Sequence, residues 1–173
     1  VLMDNSETYC LKVDASILGD LVVGDASELK NGMATYGDAL RSMFQILDLN
    51  TASLASDDLA GVYTIHPMLA SYYALDSEMD GGPLKVRDKS SFYSSEQDTN
   101  SFLVFDLGSL SDDGTIITAV SRYVYNNDNE SYEIDTNWNP YLYLKLNSDQ
   151  TLSLTGQVSE ATEWMIMDAD DLI

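Results

Sequence analysis

The chain has 173 residues, 45% of them hydrophobic, and sets 29 acidic side chains against 8 basic ones for a net charge of −21. That length and apolar share allow one sizeable core without covalent staples, and a single cysteine, Cys10, excludes an intramolecular disulfide. So negative a surface repels phosphate backbones and anionic headgroups, which argues against nucleic acid and membrane surfaces as partners, and no apolar run is long enough to cross a bilayer.

In chain order, the first element is a strand stub, Val1-Leu2-Met3, followed by the alternating stretch Tyr9-Cys10-Leu11-Lys12-Val13-Asp14. A Gly19-Asp20 turn leads to Leu21-Val22-Val23, so these two runs read as a hairpin. Ala26 to Met43 has room for a turn of helix at most, since Gly32 and Gly37 interrupt it. Phe44-Gln45-Ile46-Leu47-Asp48 is the next strand. Val62-Tyr63-Thr64-Ile65 follows, then a second hairpin from Ser71-Tyr72-Tyr73-Ala74-Leu75-Asp76 through Asp80-Gly81-Gly82-Pro83 to Leu84-Lys85-Val86, and then Phe102-Leu103-Val104-Phe105-Asp106. Thr115 to Val120 is a strand. A third hairpin runs from Leu142-Tyr143-Leu144-Lys145-Leu146-Asn147 through Ser148-Asp149-Gln150 to Leu152-Ser153-Leu154, and Trp164-Met165-Ile166-Met167-Asp168 closes the series.

The same phrases recur three times in one order. The aromatic-x-x-x-Asp strands start at 44, 102 and 164, which is 58 and 62 residues apart (102−44 and 164−102). A supersecondary unit repeated at that period cannot bury its apolar face alone, so the three copies are expected to close around a shared core. Four strands in each of three units make twelve. The expected organisation is one all-β domain over 1–173, with repeats at about 1–54, 55–110 and 111–173. The third repeat is broken by an insertion at 121–140.

Twelve strands in three similar units resemble the β-trefoil, a six-stranded barrel capped by three hairpins. Within that superfamily the texture is similar to the ricin-type lectins. Tyr9-Cys10-Leu11-Lys12-Val13 before a Gly-Asp turn resembles their opening strand, and Thr162-Glu163-Trp164 stands where their Gln-x-Trp signature falls. The Gln is replaced in all three units, the other triplets being Ser42-Met43-Phe44 and Asn100-Ser101-Phe102. The resemblance implies that Asp14, Asp76 and Asn147, the polar residues ending each first phrase, accept hydrogen bonds from sugar hydroxyls. Turn capping by Asp and Asn is the alternative.

The insertion offers a second set of candidates. Tyr125, Tyr132, Asn137 and Trp138 combine aromatic faces with amides, which suits a pyranose ring and equally suits protein recognition. Asn129-Glu130-Ser131 is a glycosylation sequon, making Asn129 the candidate attachment site and pointing to a secreted protein. Asp128, Glu130, Glu133 and Asp135 could ligate calcium, although no EF-hand pattern is present, and no metal or other cofactor is expected. Acidic turns at Ser56-Asp57-Asp58, Ser111-Asp112-Asp113 and Asp168-Ala169-Asp170-Asp171 are expected to gather at one pole of a threefold fold.

No phosphate-binding glycine loop, nucleophile elbow or histidine metal cluster is present, and the single histidine, His66, precedes Pro67 at a strand end. With 29 carboxylates, any pair at glycosidase spacing is expected by chance. The expectation is a non-enzymatic, secreted carbohydrate-binding module whose partner is a glycan or an extracellular protein. Two alternatives stay open: a structural, storage or self-assembling extracellular protein, and a protease inhibitor of β-trefoil type.

Overall fold

Apolar alternation becomes sheet over most of the described residues of the computed structural model, which are 1–14, 21–48, 63–70, 73–77, 84–88, 101–108, 114–126, 128, 131–134 and 141–171. A five-stranded antiparallel sheet has the order β3-β2-β1-β14-β9, built from Leu21–Asp25, Tyr9–Val13, Leu2–Asp4, Glu163–Ile166 and Thr115–Ile116. A second sheet has the order β13-β12-β10-β8-β5-β4, from Leu152–Thr155, Leu142–Leu146, Thr118–Asn126, Ser101–Asp106, Tyr63–Pro67 and Phe44–Asp48. A further strand, β11 (Ser131–Ile134), pairs with β10, and β6 (Tyr73–Ser77) pairs with β7 (Leu84–Asp88) as a separate hairpin.

The three expected hairpins are all present: β2 with β3, β6 with β7, and β12 with β13. Their second strands, β3, β7 and β13, pack against one another. Beneath them lies one apolar cluster containing Leu11, Leu75 and Leu144 from the three hairpins together with Leu2, Ile65, Phe105, Ile117 and Trp164. Trp164 is fully buried and Phe44, its counterpart in the first copy, packs partly buried against the same cluster. In the middle copy, Leu103, Val104 and Phe105 are all buried, as expected for a strand inside a sheet with both faces covered.

Three features differ from the expected twelve strands. Among the described residues there are fourteen, because Thr115 to Val120 breaks at Ile117, whose carbonyl accepts from the Leu144 N–H at 3.0 Å, and because the insertion supplies β11. The described part of the insertion, 121–126 and 131–134, is not a loop outside the sheet. Arg122, Tyr123 and Val124 pair with Leu103, Phe102 and Ser101 of β8 beyond a bulge between Ala119 and Ser121, while β11 returns along the other edge of β10. Strand pairing satisfies backbone groups that a loop would leave to water.

The third difference is helical. Ala26–Lys30 (α1) and Tyr36–Arg41 (α2) form two short helices where one turn was expected. Caps compensate for modest propensity: Asp25 accepts from the Ser27 N–H at 2.8 Å, and Thr35 accepts from the Asp38 N–H at 3.2 Å. Gly32, at φ +65, makes the break between them. Lys12 of β2 pairs with Asp38 at 3.3 Å and so ties α2 to β2, while Arg41 pairs with the same carboxylate at 3.5 Å within α2.

Burial of Trp164 carries the first prediction. Trp164→Ala should lower unfolding stability by about 3–5 kcal/mol in a denaturant titration. A loss under about 1 kcal/mol would mean that the ring is not part of the core.

Candidate binding site

The three residues that end the first phrases have different surroundings. Asp14 is half-buried after β2, and the 15–20 turn that follows it lies outside the described residues. The Asp76 side chain is fully buried, with Oδ1 3.4 Å from Arg122 Nε, and Lys85 is its register partner across the hairpin. A carboxylate removed from water needs such a counter-charge, so Asp76 is placed as an internal ion-pair partner and not at a surface that a sugar hydroxyl reaches.

Asn147 stands at an exposed turn. Its N–H donates to the Thr151 carbonyl at 2.8 Å, its carbonyl accepts from Gln150 N–H at 2.9 Å, and its Nδ2 donates to Thr151 Oγ1 and Ser153 Oγ, each at 3.1 Å. Ser148, Asp149 and Gln150 form a three-residue hairpin loop, whose last position requires a left-handed backbone. Gln150 occupies it at φ +66, a conformation that suits glycine or asparagine better.

What Gln150 gains there is a long-range contact. Its Nε2 donates to the hydroxyl of Tyr9 at 3.1 Å, tying the β12–β13 turn to the start of β2. Tyr9 is held from behind by Asp4, a buried residue whose Oδ1 accepts from the Tyr9 N–H at 2.6 Å and the Thr8 N–H at 2.9 Å. Asp149, exposed at the loop apex, accepts from the Thr151 hydroxyl at 2.6 Å and its N–H at 3.1 Å, both on Oδ1. These donors hold its carboxyl below the ordinary carboxylate pKa. The Gln150–Tyr9 bond thus brings the turn that carries Asn147 and Asp149 to the start of β2.

The sequence reading missed Tyr9, Asp149 and Gln150. A signal was present: the matching turns of the other two units carry Gly19 and Gly81-Gly82, whereas this one spends its left-handed position on a glutamine.

Of the insertion candidates, Tyr125 and Tyr132 are opposed in register across the β10–β11 ribbon, with Asn126 opposite Ser131 beyond them. Asn129, Asn137 and Trp138 lie outside the described residues, and Asp128 is exposed. The acidic turns at 56–58 and 111–113 also lie outside them. At the third, Asp168 Oδ1 accepts from the Asp170 N–H at 3.1 Å. Among the described residues, no group of three or more His, Cys, Asp or Glu side chains is arranged to hold a metal ion.

Cys10 is buried, with its sulfur 3.8 Å from both Ser42 Oγ and the Gly24 carbonyl, and burial pushes its thiol pKa up. A raised pKa disfavours the thiolate needed for nucleophilic chemistry, and burial removes the sulfur from intermolecular disulfide formation. His66 Nε2 lies 2.8 Å from Thr64 Oγ1. Comparison with protein-family models, with curated proteins and with solved structures finds no match to this chain.

Two predictions separate support from binding. Asp76→Asn leaves the Arg122 guanidinium buried beside a neutral amide and should cost about 3–5 kcal/mol, with ligand affinity per folded molecule unchanged. Lost affinity at full stability would instead make Asp76 a ligand contact. Asp25, Asp38 and Asp149 all sit below the ordinary carboxylate value because they accept hydrogen bonds, from Ser27, Thr35 and Thr151 respectively. The native state therefore binds fewer protons than the unfolded chain in this range. Their stabilisation is complete above about pH 4 and is lost as pH falls through the lowered values. Urea midpoints measured down the acid range should fall accordingly; midpoints that stay flat would contradict the assignment.

Proposed function

We propose that the chain is a non-enzymatic, secreted carbohydrate-binding module of β-trefoil architecture, similar to the ricin-type lectins, with its sugar site where the β12–β13 turn meets Tyr9. The fold reading is supported by three equivalent hairpins whose second strands meet, and by the antiparallel series β9-β14-β1 and β4-β5-β8-β10 around one core. The observation that carries the site is the 3.1 Å bond from Gln150 to the Tyr9 hydroxyl, which joins two loops distant in sequence into one surface.

The chemistry suits a saccharide. An aromatic ring offers a face to the C–H side of a pyranose, and amide and carboxylate groups at its edge serve hydroxyls that both donate and accept. Non-glycine backbone held at positive φ recurs on both sides, at Glu7 and Gln150. Such strain persists where surroundings enforce it and clusters at binding sites. Tyr125 and Tyr132, opposed in register on the β10–β11 ribbon, are the candidates for contacts to a longer glycan, and Asn129 remains the glycosylation candidate.

One observation favours the self-assembling alternative. Met33, Tyr36, Met68 and Leu69 are exposed, and α2 packs against the 3-10 turn Met68–Ala70, so these apolar groups lie on neighbouring elements. Sedimentation measurements separate the readings, since a strict monomer at high concentration removes this one.

A glycan array tests the lectin reading, and absence of binding to every glycan at high protein concentration would sink it. Gln150→Gly is the diagnostic variant. It relieves the left-handed backbone and should raise stability by up to about 1 kcal/mol, yet it removes the amide and should weaken glycan binding. Unchanged binding would remove the site from this turn.

A further inference from the structure

We infer that the outward face of α1, α2 and the Met68–Ala70 turn is a contact between two copies of this chain. It forms a closed, reversible dimer that buries Met33, Tyr36, Met68 and Leu69, whatever ligand the protein binds.

The first observation is that the 26–41 segment is apolar on two sides. Its inner side carries Ala26, Leu29 and Ala39, buried in a small cluster with Val1, Met3 and Cys10. The fold accounts for that side. Its outer side carries Met33, 76% exposed, and Tyr36, 81% exposed, and α2 packs against the turn that shows Met68 and Leu69. Among the described residues six large apolar side chains are exposed, and these are four of them, so the exposure is concentrated here.

The backbone that displays them is fixed. The N–H groups of Met33 and Ala34 both donate to the Glu28 carbonyl, at 2.9 and 3.0 Å. Thr35 caps the helix that begins with Tyr36, and the Met68 N–H donates to the Met43 carbonyl at 3.0 Å. An apolar face held on ordered backbone gives up little entropy on docking. Methionine and tyrosine are also types that interfaces favour.

The second observation is charge, and it decides the occupant. Residues 26–47 and 63–70 contain two acids, Glu28 and Asp38, and two bases, Lys30 and Arg41, so their net charge is zero. The whole of the −21 is carried by the rest of the chain. Lys30, Asp38 and Arg41 are moreover paired within the molecule, with Glu7, with Lys12, and with each other in the case of Asp38 and Arg41. The face therefore offers no charge to steer a cationic or an anionic partner. A two-fold contact sets a surface against its own copy, so a face of one sign repels itself and a balanced apolar one does not. Association of that kind stops at two, unlike open assembly. Four side chains are few beside the ~800 Å² per partner of a standard interface, which sets a weak pair.

Sedimentation equilibrium over about 1–500 μM protein tests this, and the expected Kd is about 10–100 μM. Raising salt from about 0.05 to about 0.5 M should tighten the pair, because screening removes the repulsion between two strongly negative bodies. The double variant Tyr36→Asp, Met68→Asp should raise Kd about tenfold or more. At dilutions where the wild type is monomeric, its unfolding midpoint should be unchanged. Tyr141→Asp with Val158→Asp adds the same charge at two other exposed apolar positions and should leave the dimer in place. A strict monomer at every salt concentration would overturn the inference. So would a pair that loosens with salt, species that grow beyond two, or equal loosening by both double variants. None of these outcomes involves glycan binding, so this inference and the sugar reading fail separately.

Discussion

Strand β1 is only three residues long, and the architecture depends on its being paired on both sides. Leu2, Met3 and Asp4 are opposed to Ile166, Met165 and Trp164 of β14, and Met3 faces Cys10 of β2 on the other edge. All three β1 residues are buried. Through this short strand the first hairpin is joined to the last repeat, which places Trp164 in the same cluster as Leu11 and Leu2. The entropy of joining such distant segments grows only slowly with their separation, so one well-buried pairing suffices. Non-local closure of this kind is characteristic of slow-folding all-β topologies.

The same strand sets the site. Asp4 ends β1 and, by accepting from Thr8 and Tyr9, fixes where β2 begins. Tyr9 is thereby presented to the β12–β13 turn, where Gln150 reaches it. A buried carboxylate satisfied by several N–H donors is worth keeping because each unpaired donor in that turn would cost more than the net gain of one bond. The Tyr9–Gln150 junction is therefore an outgrowth of core geometry, with the strain at Gln150 sustained by its contact to Tyr9.

Much of this organisation was legible before any coordinates. The three recurring phrases marked the hairpins and the all-β class, because alternation and turn chemistry act locally. Asn147 was legible as a turn residue for the same reason. Local signals also misled. Ala26 to Met43 looked nearly strand- and helix-free because propensity alone ignores the Asp25 and Thr35 caps. The 121–140 segment looked like a loop because its pairing partner, β8, is distant in sequence. Asp76 matched Asn147 by position, yet its burial depends on Arg122, a residue of another repeat. Tyr9 and Gln150 are separated by most of the chain, and a contact between them is a product of the fold that neither local pattern records.

The central claim is that the Tyr9–Gln150 junction is where a saccharide sits. Amide chemical-shift mapping on isotope-labelled protein, titrated with the tightest-binding glycan of the array, tests it most directly. Concentration-dependent shifts centred on Thr8–Cys10 and Asn147–Thr151, with β4 and β5 unmoved, are the predicted result. Shifts confined to the β10–β11 ribbon or to the α2 face, or none at all, would contradict it.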